Sequence, residues 1–321
     1  MAFRLHLIPQ ETNFPFIAYG RNFVGLSVAA MLAAVVVFVS MGLNFGVDFK
    51  GGATIEIRTQ EPADLAQIRG VIDGLALGDF TVQEFGDPHE VLIQIASDAV
   101  AEGMETPSAR VMSALTEILP GVEERQVEYV GPKVSDELIW GGLTAVLLSL
   151  GAVLVYVWLR FEWQFAVSAV AALTHDLILT MGLFSLIQLE FNLSIVAALL
   201  TIVGYSLNDT VVVFDRVREN LRRYKTMPLA ELLNLSVNET LSRTTMTSFT
   251  TLIALISLYV LGGEVIRGFT FGMIWGIVIG TYSSIFIAAM LVLLLGVKRD
   301  WSKPQDSDGP QGVRFGSADA P

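Results

Sequence analysis

Six apolar runs decide what this chain can become. They lie at residues 23–43, 138–159, 163–186, 193–214, 244–262 and 268–296. Each is on the order of 20 residues long, enough to cross a bilayer as a helix. The composition agrees, with 53% hydrophobic and 16% charged residues and a mean hydropathy of +0.58. That profile is too apolar for a soluble globular protein. The first run follows Arg4 and Arg21, as a signal peptide would. Its apolar core is too long for one and lacks a small-residue cleavage site, so an uncleaved anchor is expected. With no cysteine, disulfides and cysteine-ligated metals are excluded, and the three histidines match no metal spacing. No metal or cofactor is expected.

The net charge of −12 is unevenly placed. Residues 44–137 hold 18 acidic and 6 basic side chains, and the remainder balances at 14 of each. An acidic domain is therefore inserted into a balanced membrane protein. Nucleic-acid binding would need a basic face, so it is not expected. Basic residues also set the orientation. Arg160, the 215–243 loop (Arg216, Arg218, Arg222, Arg223, Lys225, Arg243), the N-terminus and Lys298, Arg299 and Lys303 all fall on one side of a six-span arrangement. Both termini (1–22 and 297–321) are expected in the cytoplasm and the 44–137 domain outside. The tail from Asp300, rich in Pro, Gly, Ser and Asp, is expected to be disordered. Segment 228–242 is expected as an interfacial helix leading into the fifth span.

Within the domain, 53–59, 79–85, 90–96 and 122–130 alternate like strands, and 62–76 and 107–119 have helical periodicity. The order βαββαβ implies an α+β ferredoxin-like sandwich. It carries no catalytic constellation, so no enzyme activity is expected. Its carboxylates read as a solvated face or as a surface for partners. The expected fold is thus α-helical and membrane-embedded, with six transmembrane helices and this inserted domain.

Polar residues in the apolar runs carry the functional signal. Asp209 lies in the fourth, with five residues between it and Asp215, which places it about 7–9 Å inside that boundary. A carboxylate there is expensive unless neutralised, paired or hydrated. Asn208 and Thr210 are candidate hydrogen-bond partners. In the fifth run, Thr240, Thr244, Thr247, Ser248 and Thr251 make one hydroxyl stripe, beside a line of Arg243, Thr247 and Thr250. Arg243 stays charged. Alternating contact with Asp209 would let that carboxylate take up and release protons. A static ion pair that fixes helix register is the other reading. His175-Asp176 sits deep in the third run as a relay partner, a helix-packing group, or a pair nearer the boundary. An intramembrane aspartic protease would need a Gly-x-Gly-Asp signature, which is absent. Gly51 and Gly52 close the segment GVDFKGG, as a tight junction or a hinge. Gly268, Gly272, Gly276 and Gly280, then Ser284 and Ala288, form a flat packing face or a sliding one.

The motifs GVDFKGG, THD, VGYSLNDTVVVFDRVREN, LSRTTMTSFTT and FGMIWGIVIGTYSS, in this order of spans, resemble the SecF family. These are the smaller membrane subunits of bacterial SecD–SecF protein-export complexes, and the likeness covers nearly the whole chain. The resemblance implies a membrane fold of the RND superfamily in the inner membrane. It also implies proton-motive-force-driven help to unfolded polypeptides leaving the SecYEG channel. The expected partners are SecD, SecYEG and YajC. It assigns proton-pathway roles to Asp209 and Arg243. Two other classes remain: a scaffold that only stabilises SecD and the channel, and a small RND-type exporter. The exporter would want a larger outer domain with an apolar cleft.

Overall fold

The computed structural model describes residues 12–96, 106–263 and 265–297. The expected disordered tail and residues 1–11 lie outside these. Among the described residues, six helices are long and apolar enough to cross a membrane. They are α1 (Phe16–Met41), α5 (Pro132–Arg160), α6 (Trp163–Ile187), α7 (Leu193–Arg223), α8 (Leu229–Leu261), and a sixth formed by α9 (Arg267–Ser283), a π turn (Ser284–Ala288) and α10 (Ala289–Leu295). Between α1 and α5 lie β1 (Asn44–Phe45), α2 (Val47–Lys50), β2 (Gly52–Arg58), α3 (Leu65–Gly74), β3 (Phe80–Phe85), β4 (Asp87–Ala96), α4 (Pro107–Ile118) and β5 (Glu123–Val130). A two-residue β6 (Glu190–Phe191) joins α6 to α7.

The inserted domain has the expected topology. Its sheet runs β3-β4-β2-β5 with every pair antiparallel. Ile55, Ile57, Val82, Val91, Ile93 and Ile95 point to one face and pack on Ile68 and Ile72 of α3 and Val111 and Leu115 of α4. Asp64 caps α3 by accepting from the Ala66 and Gln67 N–H groups, and Thr106 caps α4.

In the bundle, α6, α7 and the sixth span form the interior. About half of each apolar window is buried, against 6% or less in α1 and α5 and 11% in α8. Four helix boundaries differ from those read in the sequence, and one of them is the start of α1, at Phe16 rather than 23. The stretch 228–242 is no separate interfacial helix, and 215–243 is no loop. α7 continues to Arg223, α8 begins at Leu229, and only 224–228 connects them. Residues 229–261 contain neither Gly nor Pro, so nothing breaks the helix. The polar extensions also pair with each other. Arg216 Nε donates to Glu239 Oε2 at 2.7 Å, and Asn220 Nδ2 donates to Glu239 Oε2 at 2.7 Å and to Ser236 Oγ at 3.0 Å. Likewise α5 starts at Pro132 rather than 138, so the last domain strand ends at Val130. Hydropathy sees the apolar stretch, and helices extend past it.

The junction is a built joint. Gly51 and Gly52 take φ of 71° and 135°, where a side chain would be strained. They end the α2 turn so that β2 can leave it. Asp48 Oδ2 accepts the Leu193 backbone N–H at 2.8 Å, at the N-terminus of α7, where a carboxylate meets the positive end of the helix dipole. β1 pairs parallel with β6, and Gln94 Nε2 of the sheet donates to Glu190 Oε2 at 2.9 Å.

The glycine series of α9 faces α7. A Cβ on Gly268 would meet Ile195 at 3.5 Å, one on Gly272 would meet Phe184 at 3.4 Å and Ala198 at 3.7 Å, and one on Gly280 would meet Ser206 at 2.9 Å. At Gly276 it would fall into the Ile202 side chain. Gly276→Ala is therefore expected to cost about 1–3 kcal/mol through overpacking. Gly151→Ala on α5, with nothing within 4 Å, should cost nothing. Unfolding midpoints of the two variants in detergent compare them directly.

Candidate functional site

Two carboxylates are buried in the bundle, and their surroundings are opposite. Asp209 on α7 is 2% exposed, and among the described residues its Oδ2 has no hydrogen-bond partner. Thr210 Oγ1 on α7 and Thr244 Oγ1 on α8 are likewise buried without partners. Asn208 points to the exterior and contributes no hydrogen bond to the carboxylate. An unpaired oxygen of this kind in a low-dielectric interior is costly, and native structures keep few of them.

Arg243 lies on the exposed side of α8. Its charge acts on Asp209, but among the described residues the two form no ion pair within 4.0 Å. The hydroxyl stripe on its helix is split. Thr240, Thr244 and Ser248 turn inward, while Arg243 and Thr250 turn outward. Several of these hydroxyls are satisfied by their own helix: Thr240 donates to the Ser236 carbonyl at 3.0 Å and Thr251 to the Thr247 carbonyl at 2.9 Å. Ser248 and Thr281 share a 2.7 Å bond that ties α8 to α9.

Asp176 on α6 is 1% exposed and is held on every side. Its Oδ2 accepts from Ser206 Oγ of α7 at 2.7 Å and from Ser283 Oγ of α9 at 2.8 Å. Its Oδ1 lies 2.9 Å from His175 Nδ1. The imidazole sits 6.2 Å from the Tyr282 ring, and its Nε2 has no partner among the described residues. The Tyr282 hydroxyl reaches α1, at 2.8 Å from Ser27 Oγ and 3.0 Å from the Phe23 carbonyl. Asp176 thus lies deep in the interior and links α6, α7 and the sixth span.

Sequence reasoning missed the two serines. Ser206 is three residues before Asp209, on the same face of α7, so that spacing was a usable signal. Ser283 offered none. The small-residue series points to Ser284, but the helix turns π there, where fourfold spacing no longer predicts a face. Asn234 and Asn238 of α8 were missed too. Asn238 brackets Phe14, accepting its N–H at 2.8 Å and donating to its carbonyl at 2.9 Å, and Asn234 Oδ1 accepts the Ile17 N–H at 3.3 Å. Amides within a polar helix extension carry no sequence mark of this use.

The fold and site define a multi-pass membrane protein with a ferredoxin-like insert and buried carboxylates at its helix crossings. Residues 110–298 match the family described as protein export membrane protein SecD/SecF, C-terminal, and residues 36–63 match the SecD/SecF GG motif. The protein translocase subunit SecF of Cereibacter sphaeroides is 50% identical over 100% of both chains. That of Rhodobacter capsulatus is 48% identical over 96% of each. The crystal structure of SecDF from Thermus thermophilus, described as a translocon-associated membrane protein, matches with a TM-score of 0.81 at 34% identity. The match covers 90% of this chain and 39% of that one. A SecDF in a super-membrane-facing form matches with a TM-score of 0.67. The chain belongs to the SecF family of protein translocase subunits.

Asp176→Ala removes the acceptor shared by the Ser206 and Ser283 hydroxyls and the partner of His175, and is expected to cost about 3–5 kcal/mol. Asp176→Asn keeps an acceptor oxygen and should cost less. Thermal unfolding of both in detergent checks the order; equal midpoints for Asp176→Ala and wild type would show that the node does not hold the helices.

Proposed function

We propose that this chain works with a separate SecD to use the proton motive force, helping unfolded polypeptides leave the SecYEG channel, with YajC as a further partner. It sits in the bacterial inner membrane with both termini in the cytoplasm and the α+β domain in the periplasm. That orientation draws on Arg160, Arg216, Arg218, Arg222 and Arg223, gathered at the bundle end opposite the domain.

The observation that carries the reading is Asp209, a buried carboxylate with an unpartnered oxygen. Asp176 is saturated with hydrogen bonds, whereas Asp209 has capacity to accept a proton. Arg243, exposed beyond ion-pair distance, supplies a charge that a small helix movement brings closer. The spans of SecD are expected to cover its side of α8. Asn208, Thr210 and Thr244 stand near the route. Ser206, one turn from Asp209 and bonded to Asp176, connects the two carboxylates and makes Asp176 a relay candidate. One charge crossing 100 mV supplies about 2.3 kcal/mol. That biases a domain swing whose states differ by a few kcal/mol. It does not unfold a stable domain in one step, so the work proceeds in many cycles. Gly51 and Gly52 form the hinge of that swing, and Asp48 ties it to the helix of Asp209.

A scaffold reading draws on the saturated Asp176 node, which suits a static framework. Proton flux and export of an assembled complex carrying Asp209→Asn separate the two readings. Both are expected to fall to the level seen without a proton motive force, with assembly on native gels unchanged. Wild-type flux and export would overturn the proton reading, and loss of assembly in step with loss of export would favour the scaffold.

A further inference from the structure

The ferredoxin-like sheet has a second face, on the side away from α3 and α4. Register places two rows of side chains across all four strands there. One row is Thr81, Gln94, Thr54 and Glu128. The other is Gln83, Leu92, Glu56 and Gln126. Seven of these eight are amides, hydroxyls or carboxylates, whereas the rows on the other face, Phe80, Ile95, Ala53 and Tyr129 and then Val82, Ile93, Ile55 and Val127, carry no charge. The polar face looks onto the rim of the helix bundle, across a cleft of about 500 Å³. The floor on the bundle side includes Tyr259, Val265, Phe269 and Phe271.

The cleft has a ceiling of hydrogen-bonding groups and a floor of apolar ones. Amides both donate and accept, so Gln83 and Gln126 can pair with peptide N–H and C=O groups whatever the sequence. Four strands at about 4.8 Å spacing make the rows about 14 Å wide, the length of about four residues of extended chain. A space of about 500 Å³ admits such a segment and excludes a folded domain. The charge is mostly of one sign: among the described residues Asp48, Glu56, Glu84, Glu128 and Glu190 line the cleft, with Arg267 as the lining cation and Lys50 acting on Glu190 from nearby. Burial holds the Glu190 carboxyl above the usual carboxylate range, Asp48 and Glu128 add to the effect, and the Gln94 hydrogen bond and Lys50 only partly offset it. An arriving cation relieves that crowding.

We propose that this cleft binds a short extended segment of unfolded polypeptide bearing lysine or arginine, the peptide backbone meeting the amide rows and the cationic side chains meeting the carboxylates. The inference rests on the export reading above and names where the passing chain is held. It does not depend on the proton pathway.

The test is site-specific photo-cross-linking in the full chain assembled with SecD during export of a stalled, lysine-rich preprotein. A photoreactive residue at Gln126 or Gln83 is expected to capture the preprotein. One at Glu117, exposed on α4 on the opposite side of the sheet, is not. Combining Glu56→Lys with Glu128→Lys should lower capture about tenfold, since like charges across a contact are costly. Asp209→Asn should leave capture intact, so failure of the proton reading and failure of this one give different patterns. Capture of SecD alone at Gln126 and Gln83, equal capture at Glu117, or indifference to the charge reversal would overturn the proposal.

Discussion

The Asp176 carboxylate, gripped by one serine from α7 and one from α9, is the interaction on which the bundle depends. In hydrocarbon there is little hydrophobic drive to bring helices together, so close packing and interhelical hydrogen bonds must hold them. Here both act along one contact. The glycines of α9 let its backbone approach Ile195, Ala198, Ile202 and Ser206 of α7, and that approach brings Ser206 and Ser283 within reach of the same carboxylate oxygen. Without the glycines the serines could not converge, and without Asp176 the Ser206 hydroxyl would lose its acceptor while Ser283 kept only the Gly280 carbonyl of its own helix.

The same helix then carries the functional contrast. α7 runs 31 residues without interruption. At one end its first amide is held by Asp48 of the domain junction. At the other, Arg216 and Asn220 are held by Glu239 of α8. Between these anchors, Ser206 is bonded and Asp209 is not. In the proposed proton-driven cycle, this tied helix is the element that would carry a shift at Asp209 to the domain, because packed interiors transmit strain. The outer cleft lies beside the Asp48 end of that rod.

Much of this was legible in the residues. The spans follow from run length, the domain topology from strand and helix periodicity in the order βαββαβ, and the candidate carboxylates from their cost in an apolar run. The glycine series was recognisable from its spacing of four. Other features were not legible. Polar residues at 215–243 look like a loop to hydropathy, although helix geometry needs only unbroken backbone and partners such as Glu239. Arg243 reads as the neighbour of Asp209, yet it turns to the outer side of α8. Ser283 is invisible because a π turn follows it.

The sequence alone determined which segments are buried in a membrane, which few polar groups go in with them, and how the inserted domain is wired. These depend on composition and on periods of two and 3.6 residues, which are local properties of a chain. Tertiary structure alone decided which buried polar group is satisfied. Asp176 and Asp209 are the same residue type in similar runs. Only the crossing of α6, α7 and α9 gives one of them its donors and leaves the other an open oxygen, because a hydrogen bond between helices is settled by rotation and approach, and neither is written in either helix by itself.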